Sequence, residues 1–273
     1  MSLENIEISF GLDTLRNVDI HSSIVFSPIT ILLSLVALQN ATLNKEVFRG
    51  VESDNIEEHF KKWQYLKDGM KTKQMEIKVE ANNSSSSITF KADWMYLFRD
   101  DALMDFHSKE GHSESVRSLP KEGIDEYKFT RDDVFKVLAI PYAQDPYWFL
   151  IFLPLNRFGL EQALQKLDTT RFESLIDDLN VDYVDLKMPK FIVKSSMELG
   201  KQLSVPWSLS HESRLQVDDW GTYPAKTARR WPSFLERPDN RFPVVFNADQ
   251  PFVFAVVKDK YPLFLGVYSG TNP

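Results

Sequence analysis

The chain has 273 residues, 43% of them hydrophobic and 26% charged, with a net charge of −7 and no cysteine. Those numbers allow a large buried core, and they exclude a disulfide framework, a thiolate nucleophile and every cysteine-ligated metal site. The charges are scattered and form no basic stripe, so neither nucleic acid nor an anionic membrane surface is an expected partner.

The first residues, MSLENIEISFGL, carry acid where a secretory signal carries positive charge. The most apolar run, Ile29 to Leu38, is far shorter than the roughly 20 residues that cross a bilayer. A cytoplasmic chain with no cleaved signal and no membrane span is therefore expected. Ile8, Leu12 and Leu15 fall at i, i+4 and i+7, which predicts an amphipathic helix ending before Asp19. SIVFSP then reads as a strand. Pro28 opens a second helix, Ile29 to Gln39, which is apolar nearly all round and so belongs inside the core. A third helix is predicted from Asp54 to Met70, with Asp54 as N-cap, Glu57 completing a capping box, and Phe60, Trp63 and Leu66 on one stripe. MEIKVEA (Met75 to Ala81) and ITFKADWMYLF (Ile88 to Phe98) read as strands, and Asn82, Asn83 and Ser84 to Ser87 between them as a solvated connection. Asp100 to Glu126 reads as mixed and loop-rich. Val134 to Ile140 and Tyr147 to Leu153 form a predicted strand pair around the turn YAQDP. Helices follow at Leu160 to Leu167 and Thr170 to Asn180. VDYVDLKMPKFIV then alternates apolar and polar residues like a strand with one buried face.

At the C-terminal end, QPFVFAVV (Gln250 to Val257) and YPLFLGVYSGTNP (Tyr261 to Pro273) predict a buried antiparallel hairpin about Lys258, Asp259 and Lys260. Before them, Gly221 to Phe246 is punctuated by Pro224, Pro232 and Pro238, carries four arginines and has no periodicity. It reads as a long exposed loop, and loops of that length in compact domains are uncommon and often functional. With no internal repeat and no linker, the chain reads as a single α+β domain over residues 1–273. His107, Glu110 and His112 lack ligand spacing, so no metal is expected. There is no nucleophile elbow, phosphate loop, dinucleotide fingerprint or HExxH, so neither an enzyme nor a cofactor is expected.

Seven strings, in order along the chain, resemble the serpin family: VFSP (Val25 to Pro28), FKADW (Phe90 to Trp94), VLAIPY (Val137 to Tyr142), FLIFLP (Phe149 to Pro154), MPKFIV (Met188 to Val193), FNADQPFVF (Phe246 to Phe254) and LFLGVYSGTNP (Leu263 to Pro273). The resemblance implies helices packed on antiparallel and mixed sheets with an exposed reactive-centre loop. It implies a monomeric suicide inhibitor of serine proteases that needs no cofactor, with an extracellular location as the alternative to the cytoplasm. In that mechanism the protease attacks the loop, and the loop then enters the main sheet as a new strand. Carried over by position, VDDWGTYPAKTA (Val217 to Ala228) matches the loop hinge, with Asp219, Gly221, Thr222, Pro224, Lys226 and Ala228 at its root. Ser27 and Thr30 match small hydroxyl residues beneath the parting strands, and His211 a histidine that bonds across the opening. Ser86 falls where the family has an asparagine, which predicts an incomplete network there, and Trp94 matches a tryptophan near the top of the sheet.

Two departures from the family weigh on its mechanism. The face shared with Thr222 presents Pro224, Lys226 and Ala228. An unpaired ammonium and a missing ladder donor both oppose insertion into a central strand position. The chain is also short between residues 82 and 88, where the family has a helix, an edge strand and a second helix, and again after Leu203, so a shortened main sheet is expected. Counting from either end of the loop places the scissile bond among Leu235, Glu236, Arg237 and Pro238. The sequence thus leaves open an inhibitor of the serine-protease-inhibitor lineage, a non-inhibitory protein that displays or loses its loop, and a decayed family member.

Overall fold

The computed structural model describes residues 5–37, 61, 63, 70–72, 75–81, 85–95, 98, 102–119, 125–199, 210–219, 221–222 and 242–270. Helix α1 (Ile6–Arg16) buries Ile8, Leu12 and Leu15, as the spacing predicts. Strand β1 (Ile24–Phe26) leads into α2 (Pro28–Ala37), where Ile29, Ile31, Leu32, Leu33 and Leu35 are all buried. Gly11 lets the two helices close, since a Cβ there would lie 2.9 Å from Pro28 Cγ. The predicted third helix lies outside the described residues except at Lys61, Trp63 and Met70, and Met70 opens β2 (Met70–Lys71) instead of closing a helix.

Strands β3 (Met75–Ala81) and β4 (Ser85–Asp93) pair in antiparallel register, Glu80 opposite Ser87 and Ala81 opposite Ser86. The serine run is therefore largely strand and not a solvated connection. Ser86 is 3% exposed, because it lies on the inward side of a strand flanked by β3 and by a second neighbour. The expectation of loop over Asp100 to Glu126 is likewise corrected. That stretch holds β5 (Ala102–Lys109) and β6 (His112–Leu119), a hairpin turned by Glu110 and Gly111, the latter at φ +71°, and the start of β7 (Asp125–Arg131). Met104, Phe106 and Leu119 anchor the hairpin, and its remaining positions are half-buried or exposed apart from Ser118, which hides its periodicity.

Strands β8 (Phe135–Pro141) and β9 (Tyr147–Pro154) form the expected pair. Helices α3 (Leu160–Lys166) and α4 (Thr169–Asp177) follow, the second capped by Asp168, whose carboxylate accepts from the Arg171 N–H at 2.8 Å. Next come β10 (Asn180–Pro189), β11 (Phe191–Glu198), β12 (Ser210–Val217), β13 (Gly221–Thr222), β14 (Val244–Asn247), β15 (Phe252–Lys258) and β16 (Tyr261–Tyr268). Both ends of the predicted loop thus belong to strands, and Phe246 is fully buried on β14.

Two sheets result. The larger runs β1-β16-β15-β9-β8-β7-β10-β6-β5, with β14 parallel to β10. The smaller runs β11-β12-β13-β4-β3-β2 and is mixed, because β12 also pairs with β4 in parallel. Helix α2 packs against β3 and β4 of the smaller sheet and β16 of the larger, which puts its largely apolar surface inside the core. Outward positions of the smaller sheet carry Glu76, Lys78, Glu80, Lys91, Thr89, Glu212, Arg214, Lys194 and Ser196, with Ile192 an apolar exception, so this face is largely polar among the described residues.

Candidate functional site

The smaller sheet contains a fork. At one end, β4 and β12 are direct parallel neighbours, Ser85 to Thr89 beside Ser210 to Arg214. At the other end they part and β13 lies between them, Thr222 opposite both Val217 and Ala92 and Gly221 opposite Asp93. Gly221 and Thr222, the expected hinge residues, are therefore a strand of the sheet.

Where β4 and β12 meet, a buried polar cluster sits under the seam. Alternation on β12 turns His211 and Ser213 inward. The Ser27 N–H, at the end of β1, donates to His211 Nε2 at 3.0 Å. An N–H can only donate, so Nε2 accepts and the ring proton of the neutral imidazole sits on Nδ1, which donates to Ser86 Oγ at 2.8 Å. The expected incompleteness at Ser86 is thus corrected: one serine hydroxyl on the neighbouring strand is close enough to satisfy the ring. Burial holds the His211 pKa well below its usual range, at about 4. Thr30 closes back onto Ser27, its hydroxyl donating to the Ser27 carbonyl at 3.2 Å, while Ser27 Oγ caps the first turn of α2. Two residues not singled out from sequence complete the cluster. Ser213 Oγ donates to the Val25 carbonyl at 2.6 Å, and Ser195 Oγ accepts the Val25 N–H at 2.9 Å, so β1 is gripped by both β12 and β11. The signal was available: each is a serine at an inward position of an alternating strand.

At the open end, Trp94 is fully buried, stacks on Tyr142 with ring centroids 4.7 Å apart, and donates its indole N–H to the Asp218 carbonyl at 2.8 Å. Asp219 is held twice. Its carbonyl accepts the Phe98 N–H at 3.3 Å, and its carboxylate meets Lys190 Nζ at 2.6 Å. Lys190, 12% exposed, lies within the MPKFIV string, but its pairing with Asp219, 29 residues away, could not be read from sequence. Of the remaining expected site residues, Pro224, Lys226, Ala228, Leu235, Glu236, Arg237 and Pro238 lie outside the described residues.

Residues 84–205 match the family model described as Serpin (serine protease inhibitor). The chain resembles the serpin family there. Among curated relatives, it is 25% identical to the antitrypsin of Bombyx mori over 67% of this chain and 53% of that protein. It is 28% identical to Serpin-Z10 of Arabidopsis thaliana, over 66% and 54% respectively. The chain spans about half the length of these serpins. Its fold superposes on the thermophilic serpin tengpin in the native state with a TM-score of 0.83 at 14% identity, covering 98% of this chain and 94% of that one. The match to human thyroxine-binding globulin has a TM-score of 0.81 at 16% identity, over 99% of both chains. The globulin is named for binding thyroxine and the Bombyx mori protein for trypsin, so likeness to these proteins does not by itself assign an activity. Among the described residues no helix is long and apolar enough to cross a membrane.

Proposed function

We propose that this chain presents the segment after Thr222 to a serine protease as a bait loop, and that the cleaved loop is not drawn through the sheet. The observation that carries this reading is the register of β13. A strand continuing from Thr222 in the same register would set Pro224 between Phe90 and Leu215, Lys226 between Ile88 and Ser213, and Ala228 between Ser86 and His211. All six of those sheet residues are buried. Proline cannot donate to the ladder of a central strand. An ammonium lodged beside Ile88 and Phe90 with no carboxylate opposite costs several kcal/mol. Small hydroxyl or methyl side chains would fit where Pro224 and Lys226 do not. Insertion beyond Tyr223 would also have to split the five paired positions of β4 and β12.

Under this reading the protease acylates itself on the loop among Leu235, Glu236, Arg237 and Pro238, and water releases it before the strand can move. Incubation with chymotrypsin and with trypsin, resolved on a denaturing gel, tests it. The expected result is cleavage in the loop with no band at the summed mass. A denaturant-resistant complex would overturn it and assign covalent trapping to this chain.

A further inference from the structure

Where the bait loop rejoins the fold, the larger sheet presents apolar side chains to water. Among the described residues Phe242 is 95% exposed, Val181 63% and Val245 59%. Strand register puts the two valines on one face. Val245 on β14 lies opposite Asp185 on β10, and Val181 and the half-buried Tyr183 stand four and two residues from Asp185 on the same side of that strand. The inward side of these strands already buries Val184, Leu186 and Phe246, so the core has no use for the outward set. Phe242 comes two residues before β14 begins. Charged side chains border the apolar ones: Asp185 beside Val245, Glu126 opposite Tyr183 and Lys128 opposite Val181. An apolar centre with a charged border is the anatomy of a protein interface.

The covalent chain limits what can cover this face. Pro238 and Leu235 stand four and seven residues before Phe242, so they can lie no more than about 14 and 25 Å from it. Leu235 is thirteen residues from Thr222, the other root of the loop. The candidate scissile residues are therefore tethered more tightly to β14 than to β13. A protease domain of about 200 residues has a radius of gyration of about 16 Å, so an enzyme that grips residues 235–238 is wide enough to lie over β14 and the neighbouring part of β10.

We infer that Phe242, Val245 and Val181 form a docking patch for the protease that cuts the loop. The patch takes an exposed apolar surface of the enzyme, on the side where the residues after the scissile bond leave its cleft. This rests on the bait-loop function proposed above, and it adds that these three side chains select among proteases with the same preference at the cleaved bond. Apolar area removed from water there binds equally before and at the transition state, so the patch lowers KM and leaves kcat alone.

Chymotrypsin tests the patch, with kcat and KM for loop cleavage measured on the full chain. Phe242→Ser combined with Val245→Thr should raise KM about tenfold and hold kcat within about twofold, the signature of lost uniform binding. Val181→Thr should act in the same direction and less strongly. Leu103→Ser, on a side chain 65% exposed on β5 and outside the patch, should change neither constant. All four replaced side chains are exposed, so every variant should melt with the parent. Chymotrypsin with its catalytic serine replaced by alanine should bind the double variant about tenfold more weakly than the parent, which separates docking from chemistry. Equal KM in the parent and the double variant, with the loop cut in both, overturns the patch and leaves the bait-loop function standing, as does an equal rise in KM for Leu103→Ser. A parent chain whose loop chymotrypsin does not cut overturns both.

Discussion

His211 is fully buried, and each of its ring nitrogens has one partner, the Ser27 N–H on Nε2 and the Ser86 hydroxyl on Nδ1. A proton added to Nε2 would face the Ser27 N–H with no acceptor, which together with burial is why the folded chain resists protonation until about pH 4. The unfolded chain takes up that proton near pH 6.5. Between those values the unfolded state binds more protons than the folded state, so stability falls as pH falls through that window, by about 3 kcal/mol in total, and levels off below it. Urea unfolding at pH 7, 5.5 and 4.5 should show this slope, and His211→Gln should flatten it while lowering stability at pH 7. Ser86→Ala tests the same contact from the other side. It leaves the Nδ1–H without an acceptor, and a buried donor of that kind costs about 1–3 kcal/mol. An unchanged urea midpoint in Ser86→Ala would mean that the hydroxyl contributes nothing to holding the seam.

At the scale of elements, two strands set how far others can move. β16 lies between β1 and β15, and Gly266 in its middle has no room for a side chain. A Cβ there would stand 2.4 Å from the Ile24 carbonyl oxygen and 2.5 Å from Phe254 Cζ. The oxygen belongs to the paired backbone of β1 and cannot swing away, so Gly266→Ala should cost about 3 kcal/mol, at the upper end of ordinary overpacking. Thermal unfolding of that variant is the check. The root of the loop is tied by β13 and by Asp219 two residues before it, whose carboxylate meets the nearly buried Lys190. Asp219→Asn removes the carboxylate charge that meets the Lys190 ammonium, at a cost of about 1–3 kcal/mol. Faster amide exchange at Gly221 and Thr222 in that variant would show that the ion pair keeps the fork closed around β13.

For the molecule as a whole, the proposed bait-loop function turns on the fork in the smaller sheet. The sheet accepts two residues of the hinge, and register then offers the next inward positions to Pro224 and Lys226, side chains that its apolar side cannot take. Cleavage of the loop should therefore leave the melting temperature of the parent chain unchanged. Replacing both obstacles, Pro224→Ala with Lys226→Ala, should raise the melting temperature of the cleaved form by several degrees if the rest of the sheet still opens. An unchanged temperature in the double variant would locate the block in the β4–β12 ladder itself. The outer positions of the smaller sheet are mostly charged or hydroxyl-bearing, with Ile192 on β11 an apolar exception. A chain that spans about half the length of the curated relatives it matches has the seam, the fork and a largely polar outer sheet surface.

The amino-acid sequence by itself determined the elements whose periodicity is strong and whose burial is one-sided or complete. The α1 stripe, the largely apolar α2 and the β15–β16 hairpin follow directly from spacing and from short charged turns, and the family strings ordered them. Tertiary structure alone decided the rest. Ser85 to Ser87 became strand because their backbone groups found partners on β3 and β12, which no local preference of serine for turns could show. The β5–β6 hairpin escaped detection because only one narrow face of it meets the core. Lys190 and Asp219 are 29 residues apart and Ser27 and His211 are 184 apart, so their contacts depend on how distant strands are ordered and registered. Composition and spacing carry information about which face of one element is buried, and only the packed sheet brings the partners of each polar group within reach.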